Sequence, residues 1–180
     1  TTYNFVSNQS STRTLAFGSW GKIVVTAAGS SFSFYSIGLT VTAGPTGKIS
    51  MTSNSSKVFL NSTSGDINFP VLLENSGTGK LTISSPSDIS FYAITNSVAP
   101  TGFIFPTTNT VTAGSFNFNG NSGNLVTLMS SSSTANANLF ATSGATGSRQ
   151  KWDYVTANNI NTANGIWYAG SHSTNAGNNT

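Results

Sequence analysis

Cysteine is absent from this chain, and charged residues occupy 6% of its 180 positions. The lack of cysteine excludes disulfide bonds, so stability must come from backbone hydrogen bonds and packed apolar side chains. Soluble domains usually carry about a quarter of their residues as charges. Four Asp and Glu residues and one His leave little from which to build an acid–base or metal site. The sequence therefore indicates architecture more strongly than chemistry.

Long apolar runs are also missing, because no stretch approaches the ~20 consecutive apolar residues of a membrane-spanning helix. We therefore expect no membrane insertion. The seven Lys and Arg residues are scattered, and Arg149 with Lys151 is the one close pair. A nucleic-acid interface needs a basic cluster, so no nucleic-acid partner is predicted. The net charge of +3 follows from the scarcity of acids.

Hydroxyl and amide side chains take the place of charges. The chain has 30 Ser, 26 Thr and 21 Asn residues, and hydrophobic residues make up 37% of it, including 12 Phe. This apolar and aromatic content is too high for a disordered chain. Solubility that rests on hydroxyls and amides is typical of extracellular, repetitive β-structure.

Apolar residues alternate with polar ones in short bursts. Alternation over four to six residues is the signature of a half-buried strand. Turn-forming Gly, Pro, Ser and Asn residues separate the bursts, whose centres lie roughly nine residues apart. No window carries a helical stripe, so an all-β chain is predicted. Clear bursts occupy residues 22–26, 32–34, 39–42, 48–52, 57–60, 81–84, 89–92, 116–119, 125–128 and 152–155.

Evenly spaced short strands fit either a parallel β-solenoid or an antiparallel β-sandwich or jelly roll. The composition favours the solenoid, because Ser, Thr and Asn can stack like on like at the ~4.8 Å strand spacing, where charges would repel. One stretch also contains several Asn residues, which tolerate left-handed backbone at turns. They are Asn158, Asn159, Asn161 and Asn164. We predict a parallel β-solenoid, with the sandwich as the alternative. The Phe residues predicted to point inward are Phe32, Phe34, Phe59, Phe91, Phe116 and Phe118.

The C-terminal third carries a series of motifs. Residues 120–128 read GNSGNLVTL and are followed by four Ser at 130–133, WDYV at 152–155 and NNIN at 158–161. The chain closes on WYAGSHSTNAGNNT at 167–180. This pattern resembles a repeat-rich β-solenoid family found in large surface and virion-associated proteins of bacteria and their phages. The resemblance covers residues 110–180 well and residues 10–110 loosely.

The resemblance implies a structural or adhesive role. We expect a component of an extracellular fibre or of a phage virion appendage, such as a tail or head fibre, at an extracellular or virion-surface location. The alternatives are a secreted bacterial adhesin or surface filament subunit and, third, a polysaccharide-degrading tail spike. The implied partners are identical copies or a larger structural assembly, and a cell-surface glycan.

Residues 1–180 are predicted to form a single all-β domain. The chain opens on Thr1 and stops where the pattern of the resembling family continues with Gly-Trp. We therefore expect the sequence to be a fragment of a longer protein.

Acid–base catalysis would have to use Asp66, Glu74, Asp88 or Asp153. A glycosidase needs two carboxylates ~5–10 Å apart, and these four are isolated in sequence. Asp66 and Asp88 stand beside turn residues, so both are predicted to cap turns. A solenoid could still bring Asp66 close to Asp88 or Glu74.

Asp153 stands between two aromatic residues in a predicted strand, so we expect it to face solvent and to pair with Arg149 or Lys151. His172, the one imidazole, is predicted to be an exposed loop residue. We therefore predict no catalytic residue, no cofactor, no metal site and no enzymatic activity.

Aromatic residues offer one candidate binding site. Trp167 and Tyr168 lie in a Gly- and Asn-rich region, where exposed rings can stack on the apolar face of a sugar. They are therefore candidate carbohydrate-stacking residues. The alternative is that these rings close the open end of the solenoid core.

Overall fold

The computed structural model describes residues 4–26, 28–44, 46–142, 149–164 and 166–179, with the side chains of Arg149 and Lys151 outside that description. Within these ranges the chain is built from short strands, and no helix is present that is long and apolar enough to cross a membrane. The strands are β1 (Phe5–Ser7), β2 (Arg13–Phe17), β3 (Lys22–Val25), β4 (Ser31–Phe34), β5 (Leu39–Ala43), β6 (Lys48–Met51), β7 (Lys57–Asn61), β8 (Ile67–Asn75), β9 (Lys80–Ser84), β10 (Ile89–Asn96), β11 (Thr101–Phe105), β12 (Thr110–Asn119), β13 (Val126–Ser130), β14 (Ala137–Ala141), β15 (Arg149–Asp153), β16 (Val155–Asn158), β17 (Ile160–Ala163), β18 (Ile166–Ala169) and β19 (Thr174–Asn175).

Parallel ladders join these strands into a β-solenoid of about six turns. One sheet has the order β1-β4-β7-β9-β11-β13-β16-β19. A second contains β17-β14-β12-β10-β8-β6-β3, with β15 paired to β12 and β18, while β2 and β5 pair separately. The prediction of a parallel β-solenoid is confirmed, and the antiparallel sandwich is not the fold of this chain.

The register of the ladders gives the length of a turn. Phe5 pairs with Phe32, and Phe32 with Phe59, so each of these turns takes 27 residues. Leu81 pairs with Phe103, so a later turn takes 22 residues. The nine-residue rhythm of the sequence is therefore the spacing of successive strands within a turn, and the corner loops take up the differences in turn length.

Stacked Phe rings fill the first half of the core. The ring centroids of Phe5 and Phe32 lie 4.3 Å apart, and those of Phe32 and Phe59 lie 4.9 Å apart, with nearly parallel planes in both pairs. This column follows directly from the register, because a parallel ladder places identical residues one above the other. All six Phe residues predicted to point inward are buried, as expected.

Aromatic rings also fill the second half of the core, and an aliphatic layer separates the two columns. Between them lie Leu81, Ile83 and Ile94, which are buried. Among the described residues no ring contact joins the columns. The first column consists of Phe5, Phe32, Phe34, Phe59, Phe69 and Phe91. The second consists of Phe103, Phe105, Phe116, Phe118, Trp152 and Trp167.

One corner of the solenoid holds a buried cation. The Lys57 side chain is fully buried, and its Nζ donates hydrogen bonds to the carbonyl oxygens of Ser53 and Gly79, at 2.5 and 2.8 Å. Asn75, also fully buried, donates to the carbonyls of Gly79 and Gly102. Burial lowers the pKa of Lys57 to about 8, because the charged form loses its hydration. Its ammonium group closes the corner by satisfying backbone carbonyls that would otherwise lack donors.

Asn residues shape turns in the C-terminal half. Asn159 and Asn164 have φ angles of 53° and 55°, in the left-handed region that Asn tolerates better than most residues. Asn158 and Asn161 lie instead within β16 and β17. The predicted role of Asn in these turns is therefore confirmed for two of the four residues.

Neighbouring aromatic residues in β10 provide a test of the core. Phe91 is 4% exposed, and the adjacent Tyr92 is 65% exposed. We expect Phe91→Ala to lower the free energy of unfolding by roughly 3–5 kcal/mol, because it leaves a cavity in the ring column. Tyr92→Ala should change it by less than about 0.5 kcal/mol. Equilibrium urea unfolding of both variants measures the difference, and equal losses would show that the assigned inward register is wrong.

Lys57 predicts a specific pH dependence of stability. The folded-state pKa of about 8 lies below the ordinary value of 10.5, so between these values the unfolded chain binds a proton that the folded chain does not. The free energy of unfolding should therefore rise with pH across this window. We expect the melting temperature of the wild type to gain on that of Lys57→Met between pH 8 and 10.5, since all other titrations cancel in the comparison. If the melting temperatures of the two proteins change in parallel across this pH range, Lys57 does not lose its proton there in the folded protein.

Candidate functional site

A polar contact fastens the last described segment to the preceding turn. Asp153 Oδ1 lies 3.1 Å from His172 Nδ1, and the rings of His172 and Tyr154 stack with centroids 4.3 Å apart and planes 2° from parallel. Gly170 passes so close to this group that an added Cβ would lie 2.5 Å from Asp153 Oδ1. A larger residue at position 170 would therefore require the Asp153 side chain to move.

The segment held by this contact borders a pocket of about 340 Å³. Its apolar lining comes from inward-facing residues of the last turns, and its polar rim comes from the segment after β18. The lining includes no carboxylate, Lys or His side chain among the described residues. Such a pocket suits a flat, uncharged ligand better than an acid–base reaction. The residues that define it are Trp152, Val155, Ile160, Trp167, Tyr168, Ser173, Asn175 and Asn179.

Trp167 and Tyr168, the candidate carbohydrate-stacking residues, both line this pocket. Trp167 is half-buried, its ring centroid lies 5.3 Å from that of Phe116 and 5.2 Å from that of Trp152, and its Nε1 donates to the Asn164 carbonyl. Tyr168 is 58% exposed. Successive residues of a strand point to opposite sides, so the two rings form two different walls. Trp167 extends the core, as the alternative interpretation had it, and carbohydrate stacking stays a prediction.

Asparagine side chains on the rim are engaged with backbone groups. Asn179 accepts from the Ile160 amide at 2.7 Å and donates to the Ala157 carbonyl at 2.8 Å. Asn175 Oδ1 accepts from the Gly177 amide and from Asn179 Nδ2. The rim is therefore held in shape by side-chain amides, which bond to backbone groups as the next strand of a ladder would.

The sequence identified Trp167 and Tyr168 among the residues that line the pocket, but it did not predict the contact of Asp153 with His172. His172 is exposed as predicted, but its partners were not foreseen, because the solenoid brings together residues 19 positions apart. The predicted pairing of Asp153 with Arg149 or Lys151 involves side chains outside the described residues.

Asp66 and Asp88 are the two acids that the solenoid does bring together. Asp66 Oδ1 accepts from the Asp88 amide at 3.2 Å, and Asp88 Oδ1 accepts from the Thr110 amide at 2.8 Å. Each carboxylate therefore accepts from the backbone of the next turn, 22 residues along the chain. The contact joins two turns of the solenoid and differs from the local turn cap that was predicted. Both line a shallow surface pocket of about 260 Å³.

Glu74 is engaged elsewhere, with Lys48 at 2.7 Å and Ser50 at 2.8 Å. Among the described residues no group of three or more His, Cys, Asp or Glu side chains could hold a metal ion.

Comparison with known proteins does not extend these assignments. The chain matches no protein-family model, no curated protein and no solved structure. The likeness of residues 110–180 to surface and virion-associated solenoid proteins therefore stays a prediction.

Substitution of the two pocket rings should separate their roles. We expect Trp167→Ala to lower the free energy of unfolding by about 1–3 kcal/mol, because its half-buried ring packs on Phe116 and Trp152. Tyr168→Ala should leave it within about 0.5 kcal/mol of the wild type. Urea unfolding of both proteins measures this. A larger loss for Tyr168→Ala would mean that the exposed ring, and not Trp167, closes the core.

Proposed function

We propose that this protein is a structural and adhesive component of an extracellular fibre or of a phage virion appendage, such as a tail or head fibre. The observation that carries the proposal is the parallel ladder, which runs through the whole described structure and leaves a strand edge free at both ends. In the described residues β1, β2 and β3 each pair on one side, and so do β17, β18 and β19. Free edges of this kind are templates for pairing with further strands.

Apolar side chains at the ends support assembly along the axis. At the N-terminal end Phe5, Leu15 and Ile23 are partly buried against the core, and at the C-terminal end Trp167 has the same position. A stack of about six turns at the ~4.8 Å strand spacing is roughly 29 Å tall, so a long fibre of this cross-section requires more turns. Identical copies stacked head to tail would supply them while keeping every ladder parallel.

The outer surface supports an extracellular or virion-surface location. Outward positions carry Ser, Thr and Asn in register from turn to turn, as where Ser90 donates to Asn68 and Asn161 donates to Asn138. These hydroxyl and amide rows resemble the hydrogen-bonding surface of a polysaccharide, so a cell-surface glycan is the proposed partner. A secreted bacterial adhesin or filament subunit would use the same features and stays the alternative.

An enzymatic role has less support. The Asp66 and Asp88 pair is the one place where a tail-spike hydrolase could have its two acids, and both carboxylates are engaged with backbone amides. Glycosidases place their two carboxyl groups on either side of the bond to be cleaved, one as the acid and the other as the base or nucleophile, whereas these two carboxylates join successive turns of the backbone. We therefore propose that the protein is not an enzyme.

The assembly proposal can be tested with two adjacent residues of β2. Leu15 faces the core at the N-terminal end, whereas Ala16 is exposed on the outer surface. We expect the wild type and Ala16→Glu to form end-to-end stacks as concentration rises, and Leu15→Glu to stay monomeric, because a carboxylate on the end face opposes apolar contact. Sedimentation velocity and electron microscopy measure the stacks.

Circular dichroism of each variant confirms that the solenoid is intact. Monomers of all three proteins at every concentration would contradict the assembly proposal. Incubation of the same proteins with bacterial surface polysaccharide should release no reducing sugar, and release that Asp66→Asn abolishes would favour the tail-spike enzyme.

A further inference from the structure

Two successive turns of the solenoid use the same glycine corner. Residues 18–23 read GSWGKI and residues 44–49 read GPTGKI. In each corner the second Gly amide donates to the first Gly carbonyl, at 3.0 and 3.1 Å. Gly21 cannot be replaced without strain, because an added Cβ would lie 2.9 Å from Phe17 Cα. The two corners therefore close with the same hydrogen bond between glycines three residues apart.

The corners differ in the residue at the tip. Trp20 occupies the tip of the first and is 86% exposed, while Thr46 occupies the equivalent position in the second and is also exposed. Since Thr serves the turn equally well, neither the turn nor the core requires the Trp ring. A single exposed ring is common on protein surfaces, so its neighbours decide whether it is a binding site.

Two lysines are placed close to Trp20 by the chain and by the ladder. Lys22 follows the first corner and Lys48 the second, and the two are paired directly across β3 and β6. Like charges that face each other across a strand pair destabilise a sheet. With only 11 charged residues in the chain, a pairing of two lysines would be easy to avoid. The Glu74 carboxylate contacts Lys48 at 2.7 Å, whereas Lys22 is exposed and has no ion-pair partner among the described residues.

Electrostatics at this corner leave one positive charge unbalanced. Burial raises the pKa of Glu74, but hydrogen bonds from Lys48 and Ser50 and the charges of Lys48 and Lys22 outweigh burial and hold it below its ordinary value. Glu74 is therefore ionised and offsets one of the two ammonium groups. The corner therefore keeps a net charge of +1 from Lys22, Lys48 and Glu74, and Lys22 is two residues along the chain from Trp20.

We propose that Trp20, Lys22 and Lys48 form a binding site for an acidic polysaccharide. The indole ring stacks on the apolar face of one sugar, and the ammonium groups bind a carboxylate or sulfate on the same or the next sugar. An anion placed there also relieves the repulsion between Lys22 and Lys48. This inference rests on the proposed adhesive function and names the class of glycan.

A neutral glycan fits less well, because it would leave the Lys22 charge unmatched. A single-stranded nucleic acid also fits less well, because such ligands need a track of cations along the backbone. Arg13, another cation of the N-terminal turns, has its guanidinium group occupied by Ser7 and by the carbonyls of Ser11, Tyr35 and Ile37.

Calorimetric titration with three probes tests the site: a galacturonic acid hexamer, maltohexaose and a thymidylate hexamer. We expect the wild type to bind the acidic hexamer most tightly, with an affinity that falls as salt is added. Trp20→Thr should weaken binding about tenfold, and Lys22→Gln should weaken it about threefold and flatten the salt dependence. Trp20→Thr copies the second corner, so its melting temperature should match that of the wild type.

Matched controls remove a similar ring and a similar charge elsewhere. Tyr92→Thr and Lys80→Gln alter exposed residues outside the corner and should bind the acidic hexamer like the wild type. Equal affinity of Trp20→Thr and wild type, tighter binding of maltohexaose or of the thymidylate hexamer, or no binding of the acidic hexamer would each overturn the proposal. Stacking of the wild type in the Leu15→Glu comparison is independent of these results, so failure of the glycan site and failure of the assembly proposal are distinguishable.

Discussion

The parallel, in-register ladder is the constraint on which the rest of this structure depends. Residues paired in the ladders lie directly above one another at the ~4.8 Å strand spacing, so each of their side chains must tolerate a close neighbour at the same position. Rings, aliphatic groups, hydroxyls and amides stack well under this condition, and like charges do not. The scarcity of charge and the abundance of Ser, Thr and Asn follow from it. The one opposed pair of lysines, Lys22 and Lys48, is accompanied by the carboxylate of Glu74.

The alternation of inward and outward residues along a strand explains which polar residues are buried. In β7 the inward positions are Lys57, Phe59 and Asn61, since alternate residues share a face. Phe59 joins the ring column, while Lys57 and Asn61 stand at its two sides, where the chain turns the corners and backbone groups need partners. A buried cation without a carboxylate is tolerated there because charge-assisted hydrogen bonds to carbonyl oxygens partly replace its hydration.

Local pattern was enough to predict the all-β parallel solenoid and the buried Phe residues, because alternation and ring burial are properties of short segments. It located about half of the strands and missed others, among them β8, β11 and β14. It did not predict the turn length, which depends on how two or three strands combine into one turn. The burial of Lys57 was also missed. It could have been predicted, because Lys57 is two residues from the inward-facing Phe59 and alternate residues of a strand share a face. The contact of Asp153 with His172 could not be foreseen, since it depends on the register of one turn upon another. The repeated GxxGKI corner was visible in the sequence and marks the exposed Trp20.

The solenoid is held most weakly at its two ends. A turn contacts only the turns next to it, so the stability of the stack is a sum of nearest-neighbour terms. The aliphatic residues between the two ring columns lie in the turn with the longest ladders, because β10 pairs with β8 at seven positions and with β12 at six. At the ends, β1 pairs with β4 at three positions and β19 pairs with β16 at two. On heating, the stack would therefore open from its ends, and the turn between the ring columns would part last.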